Sequence, residues 1–337
     1  MKNVLFLGLG SIGQRHFRNL KSIDNKINFF CIRTKNDAPE LNDSLKVIKK
    51  KFDSKYMGIR EINWKQIKDF NIDTAFVTNP TSLHIRTALK LTKYNLNLFI
   101  EKPLSNNLDK INLLKNIIKK KNLKCEIGFQ TRYDDLLIKI KNIIKSKKFG
   151  EIVKCNINHC HYLPNHHKYE NYKNSYAGNK HLGGGVLLCF SHEIDYASYL
   201  FGKPKKIIPI SISSGKLLDV NVETSTQFCI EYKSSVVTTF DLDFLKKESL
   251  RKCQIQFEKA HLSWDLNASK LIIENKKKII INKSKKRNNL FHKSIKKVKN
   301  NFSRNKNSLN TFENALMNLK TIIQIKKAFT KKKIIKL

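Results

Sequence analysis

The first third of the chain alternates short apolar runs with segments whose apolar residues recur every three or four positions. The runs predict strands and the segments predict helices, because each spacing gathers apolar side chains on one face. Strands that are joined by helices are typical of a parallel sheet with crossover helices. We therefore predict a doubly wound α/β domain over residues 1–130. Its strands are expected in "KNVLFLG", "NFFCIR", "TAFVTN", "LNLFIE" and "KCEIGF".

The second part of the chain, residues 131–337, has a different period. It begins with the amphipathic segment "DDLLIKIKNIIKSKKFG", and between residues 206 and 282 short runs alternate apolar and polar residues without an intervening helix. Consecutive strands of this kind favour an antiparallel or mixed sheet. The pattern predicts a second, α+β domain with an open, largely antiparallel sheet.

The lysine-rich stretch from Lys283 to Lys306 resembles a basic tail in composition but not in pattern. Phe291, Ile295, Val298 and Phe302 are spaced to form one apolar stripe on a helix. The stretch is therefore predicted to be an amphipathic helix whose lysines form its solvated face.

The formal net charge of +39 suggests a polyanionic partner, but only nine of the 66 basic residues are arginine. Arginine is the residue that suits planar contacts with phosphates and bases. We therefore do not expect nucleic acid to be a partner, although a protein that binds nucleotide or polyanion without catalysis stays an alternative.

Cysteine usage and hydropathy indicate a cytoplasmic protein. The seven cysteines are scattered and odd in number, which fits a reducing compartment. The sequence contains no run of about 18 apolar residues, so no membrane span is predicted. The segment "CNINHCHYLPNHH" gathers cysteines and histidines, but its spacing matches no usual pair of metal-ligand motifs, so no metal is predicted.

A glycine-rich loop follows the first predicted strand and precedes a helix. Gly8, Gly10 and Gly13 form G-x-G-x-x-G, and Ser11 and Ile12 lie between the last two glycines. In this context the pattern predicts a dinucleotide site, in which the glycines allow a tight turn and the close approach of a pyrophosphate. The phosphates would bind the amide groups at the helix N-terminus.

The end of the second strand bears on the choice between NADP and NAD. An NAD site usually has an acidic residue there, about 20 residues past the glycines. This chain has Arg33, followed by Thr34 and Lys35, and Asp37 lies further along the loop. A cation suits a 2′-phosphate, so the sequence favours NADP and leaves NAD as the alternative.

Three further motifs carry a family resemblance. "TNPTSLH" contains Asn79, Pro80 and His84, "EKP" begins at Glu101, and "GGGVLLCFSHEIDYASYLFG" lies in the second domain. With the glycine loop, they resemble the Gfo/Idh/MocA (glucose-fructose oxidoreductase / inositol dehydrogenase) family over nearly the whole chain. The block from Tyr162 to the triple glycine is similar to members from surface-polysaccharide and sugar-modifying pathways. The resemblance implies an N-terminal Rossmann domain and a C-terminal domain for substrate binding and oligomerisation.

The resemblance also implies roles for individual residues. Lys102 would be the catalytic lysine, held by the turn at Pro103, and Glu101 would position the nicotinamide. His192 would exchange a proton with the substrate, and Asp195 would share its helix face and bind a sugar hydroxyl. Asn79, Pro80 and His84 would belong to the cofactor site.

Further residues are candidates for the substrate site. A run of aromatic and polar side chains could stack on sugar rings, and two residues follow the last strand of the first domain. These candidates are Tyr162, His166, Tyr169, Tyr172, Tyr176, Arg132 and Tyr133. One departure from the family pattern is Cys189, which stands where relatives carry an Asp that would orient the histidine.

These observations predict an NADP- or NAD-dependent oxidoreductase that acts on a hydroxyl or keto carbon of a sugar or nucleotide-sugar. By the same resemblance, the protein is expected to form a homodimer or homotetramer through the open face of the second sheet.

Overall fold

The computed structural model describes residues 1–33, 38–283, 287–304 and 308–337. The chain forms two compact units, one of Met1–Gln130 with Arg287–Leu316 and one of Thr131–Lys286 with Met317–Leu337. The chain passes from the first unit to the second between Gln130 and Thr131. The prediction assigned residues 287–316 to the second domain, whereas these residues return to the first unit.

The elements follow one another in chain order. The strands are β1 (Asn3–Leu7), β2 (Asn28–Ile32), β3 (Glu40–Leu41), β4 (Val47–Lys49), β5 (Ile59–Glu61), β6 (Thr74–Val77), β7 (Asn97–Ile100), β8 (Cys125–Ile127), β9 (Ile152–Cys160), β10 (Pro204–Ser213), β11 (Ser225–Tyr232), β12 (Val237–Asp243), β13 (Leu250–Phe257), β14 (His261–Asp265), β15 (Lys270–Glu274), β16 (Lys278–Asn282) and β17 (Ile335–Lys336). The α-helices are α1 (Ser11–Ile23), α2 (His84–Leu91), α3 (Ile111–Lys120), α4 (Asp135–Ser146), α5 (Val186–Cys189), α6 (Ser191–Phe201), α7 (Arg287–Arg304) and α8 (Phe312–Lys331).

The first unit is built on a six-stranded sheet in the order β5-β2-β1-β6-β7-β8. Neighbouring strands pair in parallel, which confirms the predicted Rossmann class. Strand order reverses beside β1, and the carboxyl ends of parallel strands share one edge, so ligands bind there in folds of this type. The strand β5 and the small β3–β4 hairpin were not predicted, because their runs are only two or three residues long.

An aromatic core holds α1 and α7 against this sheet. Phe6 and Phe76 lie with ring centroids 5.1 Å apart, and Phe17 of α1 meets Phe6 edge to face at 6.4 Å. Three residues of the predicted stripe of α7, Ile295, Val298 and Phe302, belong to the same buried cluster as Phe6, and Phe291 is buried as well. Residues 287–304 of the lysine-rich stretch therefore form a core helix, as the periodicity predicts.

The second unit is built on a nine-stranded sheet in the order β16-β15-β14-β13-β9-β12-β11-β10-β17. All pairs are antiparallel except β9 with β12, so the sheet is mixed but largely antiparallel, as predicted. Buried and more exposed residues alternate along β11, β12 and β13, which gives the sheet one core face.

The role of α7 in the core can be tested by stability. Replacing Ile295 with Ala should lower the free energy of unfolding by about 2–5 kcal/mol, because it leaves a cavity in the core. Replacing the exposed Lys296 of the same helix with Ala should change it by less than about 0.5 kcal/mol. Urea titrations of both variants measure the difference, and equal midpoints would contradict the assignment of α7 to the core.

Candidate active site

The glycine loop leaves an open approach at the start of α1. Gly8 has φ +105°, and a Cβ there would lie 2.9 Å from the backbone nitrogen of Asn79. A Cβ on Gly13 would collide with the carbonyl oxygen of Gly8. By contrast, apart from Gly10 and its two chain neighbours, no atom of the described residues lies within 4 Å of the place where Gly10 would carry a Cβ. Tight backbone packing therefore surrounds one open position, at Gly10.

The N-terminus of α1 has the features of an anion site. Among the described residues no side chain caps it, and its first turn, which begins at Ser11 and Ile12, holds no acidic residue. The first amide groups of a helix have no partner within the helix, and they carry a partial positive charge. The open position at Gly10 therefore fits the pyrophosphate of a dinucleotide.

The residues after β7 form a second loop at the same sheet edge. Glu101 is buried, and its Oε1 accepts a hydrogen bond from His16 Nε2 at 2.6 Å. Its Oε2 accepts one from the backbone N–H of Lys102 at 3.0 Å. The Lys102–Pro103 peptide bond is cis. The glycine loop follows β1 and Lys102 follows β7. Both strands are neighbours of β6, so a single strand separates the two in the sheet.

His84 is placed to hold this edge together rather than to face a ligand. It is 1% exposed, with Nε2 2.9 Å from the carbonyl oxygen of Asn79 and Nδ1 2.9 Å from that of Pro103. Burial lowers the pKa of His84, so the neutral ring donates to one carbonyl at a time. Asn79 itself donates to Thr87 at 2.8 Å. Pro80 lies between Asn79 and the 3₁₀ turn at Thr81–Leu83.

Arg33, the predicted reader of a 2′-phosphate, already has a carboxylate partner. Its Nη1 lies 3.2 Å from Glu61 Oε1 and 3.4 Å from the carbonyl oxygen of Phe52, and its side chain is 5% exposed. Hydrogen bonds from Ser54 and from Arg33 lower the pKa of Glu61, so the carboxylate is ionised at neutral pH. The charge of Arg33 is therefore balanced locally. Thr34, Lys35 and Asp37 lie outside the described residues.

In the second unit, His192 lies in the first turn of α6 and is buried. Its Nδ1 is 3.3 Å from the hydroxyl oxygen of Thr131, a residue that no sequence motif marked. Cys189, at the end of α5, is buried as well. The family pattern has a carboxylate at position 189. In this chain, the hydroxyl of Thr131 contacts the imidazole of His192.

The predicted substrate residues Asp195 and Arg132 bind each other. Arg132 donates from Nε and Nη2 to the two carboxylate oxygens of Asp195, at 2.8 Å each, and both side chains are buried. Burial raises the pKa of Asp195, and the guanidinium opposes that shift. Arg132 also lies over the ring of Tyr199, at 5.3 Å. Each carboxylate oxygen of Asp195 thus accepts one hydrogen bond from Arg132, which holds the two side chains together.

Glu193, which lies beside His192 in the sequence, is a buried charge that sequence analysis missed. Its Oε1 is 2.7 Å from Arg251 Nε and 3.1 Å from His159 Nδ1. Burial opposes ionisation, but Arg251 and His159 hold the pKa of Glu193 well below its usual range. Burial also lowers the pKa of His159 to about 4, and its ring stacks on Phe190 at 3.6 Å. Glu193 thus ties α6 to strands β9 and β13.

The aromatic run forms a partial cluster. The rings of His166 and His167 stack at 4.2 Å, and Tyr176 lies 6.3 Å from His166. Tyr169 stacks on His167 at 5.1 Å, whereas Tyr172 donates its hydroxyl to the carbonyl of Leu218 at 3.2 Å and so serves packing. Tyr162 directly precedes the short 3₁₀ turn at Leu163–Asn165. Tyr133 is the last residue of the turn at Gln130–Tyr133. Their predicted roles, like those of the other substrate residues, stay predictions.

Neither a membrane-spanning helix nor a metal-binding cluster occurs within residues 1–33, 38–283, 287–304 and 308–337. No helix within them is both long and apolar enough to cross a bilayer. No group of three or more His, Cys, Asp or Glu side chains within them is arranged to hold a metal ion.

Comparison with known families agrees with this geometry. Residues 2–129 match the profile "Oxidoreductase family, NAD-binding Rossmann fold", and residues 137–263 match the "GFO/IDH/MocA C-terminal domain". The chain belongs to the Gfo/Idh/MocA family of oxidoreductases. This confirms the predicted family. Residues 2–129 of the chain match the family's NAD-binding Rossmann fold.

The curated relatives of this Gfo/Idh/MocA protein include two inositol dehydrogenases. It is 24% identical over 204 residues to scyllo-inositol 2-dehydrogenase (NAD(+)) of Bacillus subtilis, and 28% identical over 199 residues to myo-inositol 2-dehydrogenase of Thermotoga maritima. Each match covers 58% of this chain, and 53% and 54% of the two relatives. The chain thus matches little more than half the length of these relatives.

Solved structures share the whole fold. A putative NADPH-dependent oxidoreductase from Desulfitobacterium hafniense aligns with a TM-score of 0.82, at 16% identity, over 99% of this chain and 97% of its own. The WlbA dehydrogenase from Bordetella pertussis, solved with NADH and UDP-GlcNAcA, aligns with a TM-score of 0.79, at 14% identity, over 100% of this chain and 98% of its own. These likenesses establish the fold of the chain.

Proposed function

We propose that this protein transfers hydride between a nicotinamide cofactor and a hydroxyl or keto carbon of a sugar or nucleotide-sugar. The observation that carries the proposal is the edge of the first sheet, where the open position at Gly10 and the Lys102 loop follow strands that are one strand apart. A dinucleotide that binds its pyrophosphate at α1 can extend along this edge toward Lys102. The inositol dehydrogenases among its relatives support a polyol or sugar as substrate.

When bound, the nicotinamide supplies the group that accepts or donates hydride. The chain's own residues must manage the proton. Oxidation of a secondary alcohol to a ketone releases one hydride and one proton, and the proton needs a base near the hydroxyl. Lys102 and His192 are the candidates, with Lys102 as the group that also stabilises negative charge on the reacting oxygen.

The finer parts of the proposal concern the substrate class, the pathway, the assembly and the location. A nucleotide-sugar fits the basic surface, because a net charge of +39 attracts anionic substrates. We further propose a role in surface polysaccharide synthesis, assembly as a homodimer or homotetramer, and a cytoplasmic location. Seven cysteines without a disulfide are consistent with that location.

The preference for NADP depends on Arg33. Because Glu61 already balances its guanidinium, we expect the protein to discriminate between NADPH and NADH by less than about tenfold, or about 1.4 kcal/mol.

Lys102 gives the first test of the proposal. Replacing it with Met should reduce turnover by about 10²–10⁴-fold, because a proton-transfer group is lost, and should leave NADH affinity within about threefold. The exposed Lys120 of α3, replaced with Met, is the control for loss of a lysine charge. Turnover is followed by absorbance of the reduced cofactor with a panel of inositols, sugars and UDP-sugars. Full activity of the Lys102 variant would remove this residue from the mechanism.

Glu61 gives a test of cofactor choice. Glu61→Gln should release the charge of Arg33 and raise the NADPH affinity relative to NADH by up to about fivefold, because a partly exposed charge contact contributes about 0.2–1 kcal/mol. Arg33→Ala should remove whatever preference for NADPH exists. Fluorescence titrations with both cofactors measure the ratio. An unchanged ratio in both variants would show that Arg33 does not read the 2′-phosphate.

A further inference from the structure

Resting on the proposed function, we propose that His16 is a positioning residue for Lys102. It would act through the Glu101 carboxylate, and it would link the helix that binds the pyrophosphate to the loop that carries the lysine. His16 belongs to the segment "GSIGQRH", one turn beyond the glycines, where the glycine motif itself assigns it no role.

The first observation is the geometry of the His16–Glu101 contact. His16 Nε2 and Glu101 Oε1 are 2.6 Å apart, and the two side chains are 3% and 8% exposed. His16 Nδ1 is buried without a hydrogen-bond partner among the described residues. A proton on Nδ1 would therefore be an unpaired buried donor. The proton is better placed on Nε2, where it points at the Glu101 carboxylate.

The second observation is that further contacts hold the carboxylate. Its other oxygen accepts the N–H of Lys102 at 3.0 Å. A Cβ on Gly128 would lie 2.8 Å from Oε1 and 2.9 Å from Cδ of Glu101, so the absence of a side chain at Gly128 makes room for this group. The ring of His16 is held edge to face by Phe99 of β7, at 5.1 Å. The His16 donor thus sets the orientation of the Glu101–Lys102 peptide.

This arrangement couples two parts of the site. The imidazole lies on α1, whose first turn would hold the cofactor phosphates, and the carboxylate lies directly before Lys102. A shift of α1 would move the hydrogen bond that orients the lysine backbone. Since reacting groups must be placed within a fraction of an ångström, loss of this bond should lower turnover more than it lowers cofactor binding.

The experiment uses the position of Nε2. Gln places its amide nitrogen close to the position of His Nε2, whereas Asn is too short, so His16→Gln should keep the contact and His16→Asn should lose it. We expect His16→Asn to lower kcat by about 10–100-fold with the NADH dissociation constant changed by less than about threefold, and His16→Gln to restore kcat to within about threefold of wild type. Gly128→Ala, which displaces the carboxylate without touching His16, should behave like His16→Asn.

Asn19 provides the matched control. It is a buried polar residue of α1 that exchanges two hydrogen bonds with Asn288, at 3.2 and 3.0 Å. Asn19→Ala should lower thermal stability to a degree comparable with His16→Asn but leave kcat unchanged. Equal losses of kcat in His16→Asn and Asn19→Ala, or failure of Gln to restore kcat, would overturn the positioning role.

A second measurement does not depend on turnover. Hydrogen exchange at the Lys102 amide, measured by NMR in the cofactor-free protein, should accelerate by at least about tenfold in His16→Asn and Gly128→Ala, because that amide loses its oriented acceptor. The rate should match wild type in His16→Gln and Asn19→Ala. If the wild-type protein binds NADH but oxidises no alcohol in the panel, the proposed function fails, and the exchange rates still decide the role of His16.

Discussion

The close contact between the glycine turn and the neighbouring backbone is the constraint on which the site depends. Gly8 leaves no room for a side chain against the backbone of Asn79, and Gly13 leaves none against Gly8. This contact draws the end of β1, the start of α1 and the end of β6 together. A helix N-terminus meets an open position there, at Gly10, and a pyrophosphate can approach the amide groups.

A second feature of the structure is a set of three buried carboxylates. Glu101 is stabilised by a histidine and a backbone amide, Asp195 by Arg132, and Glu193 by Arg251 and His159. An ionised group that is removed from water needs such partners, since an unpaired buried charge is costly. Each of these carboxylates is therefore engaged by partners within its own unit. We infer that these contacts hold the segments that carry Lys102 and His192 in place.

The sequence predicted the class of both sheets, because periodicity and the glycine motif are local properties. It also located the Glu101–Lys102–Pro103 loop at the end of a parallel strand. It did not predict the partner of Arg33, since the approach of Glu61 depends on the pairing of β2 with β5, a three-residue strand. Nor did it predict that Arg132 and Asp195 meet, or that α7 returns to the first unit. These are contacts between residues far apart in the chain, which no local pattern encodes.

The central claim, that a nicotinamide dinucleotide binds across Gly10, is tested most directly by titrating wild-type protein and Gly10→Val with NADH. Gly10 has an extended backbone, with φ −70° and ψ −169°, that valine can adopt, and the described residues leave space for its Cβ. The variant should therefore fold with an unchanged melting temperature, and its added methyl groups should obstruct the ligand alone. The account predicts at least about a hundredfold loss of affinity, or about 2.7 kcal/mol. Wild-type affinity in a folded Gly10→Val protein would contradict it.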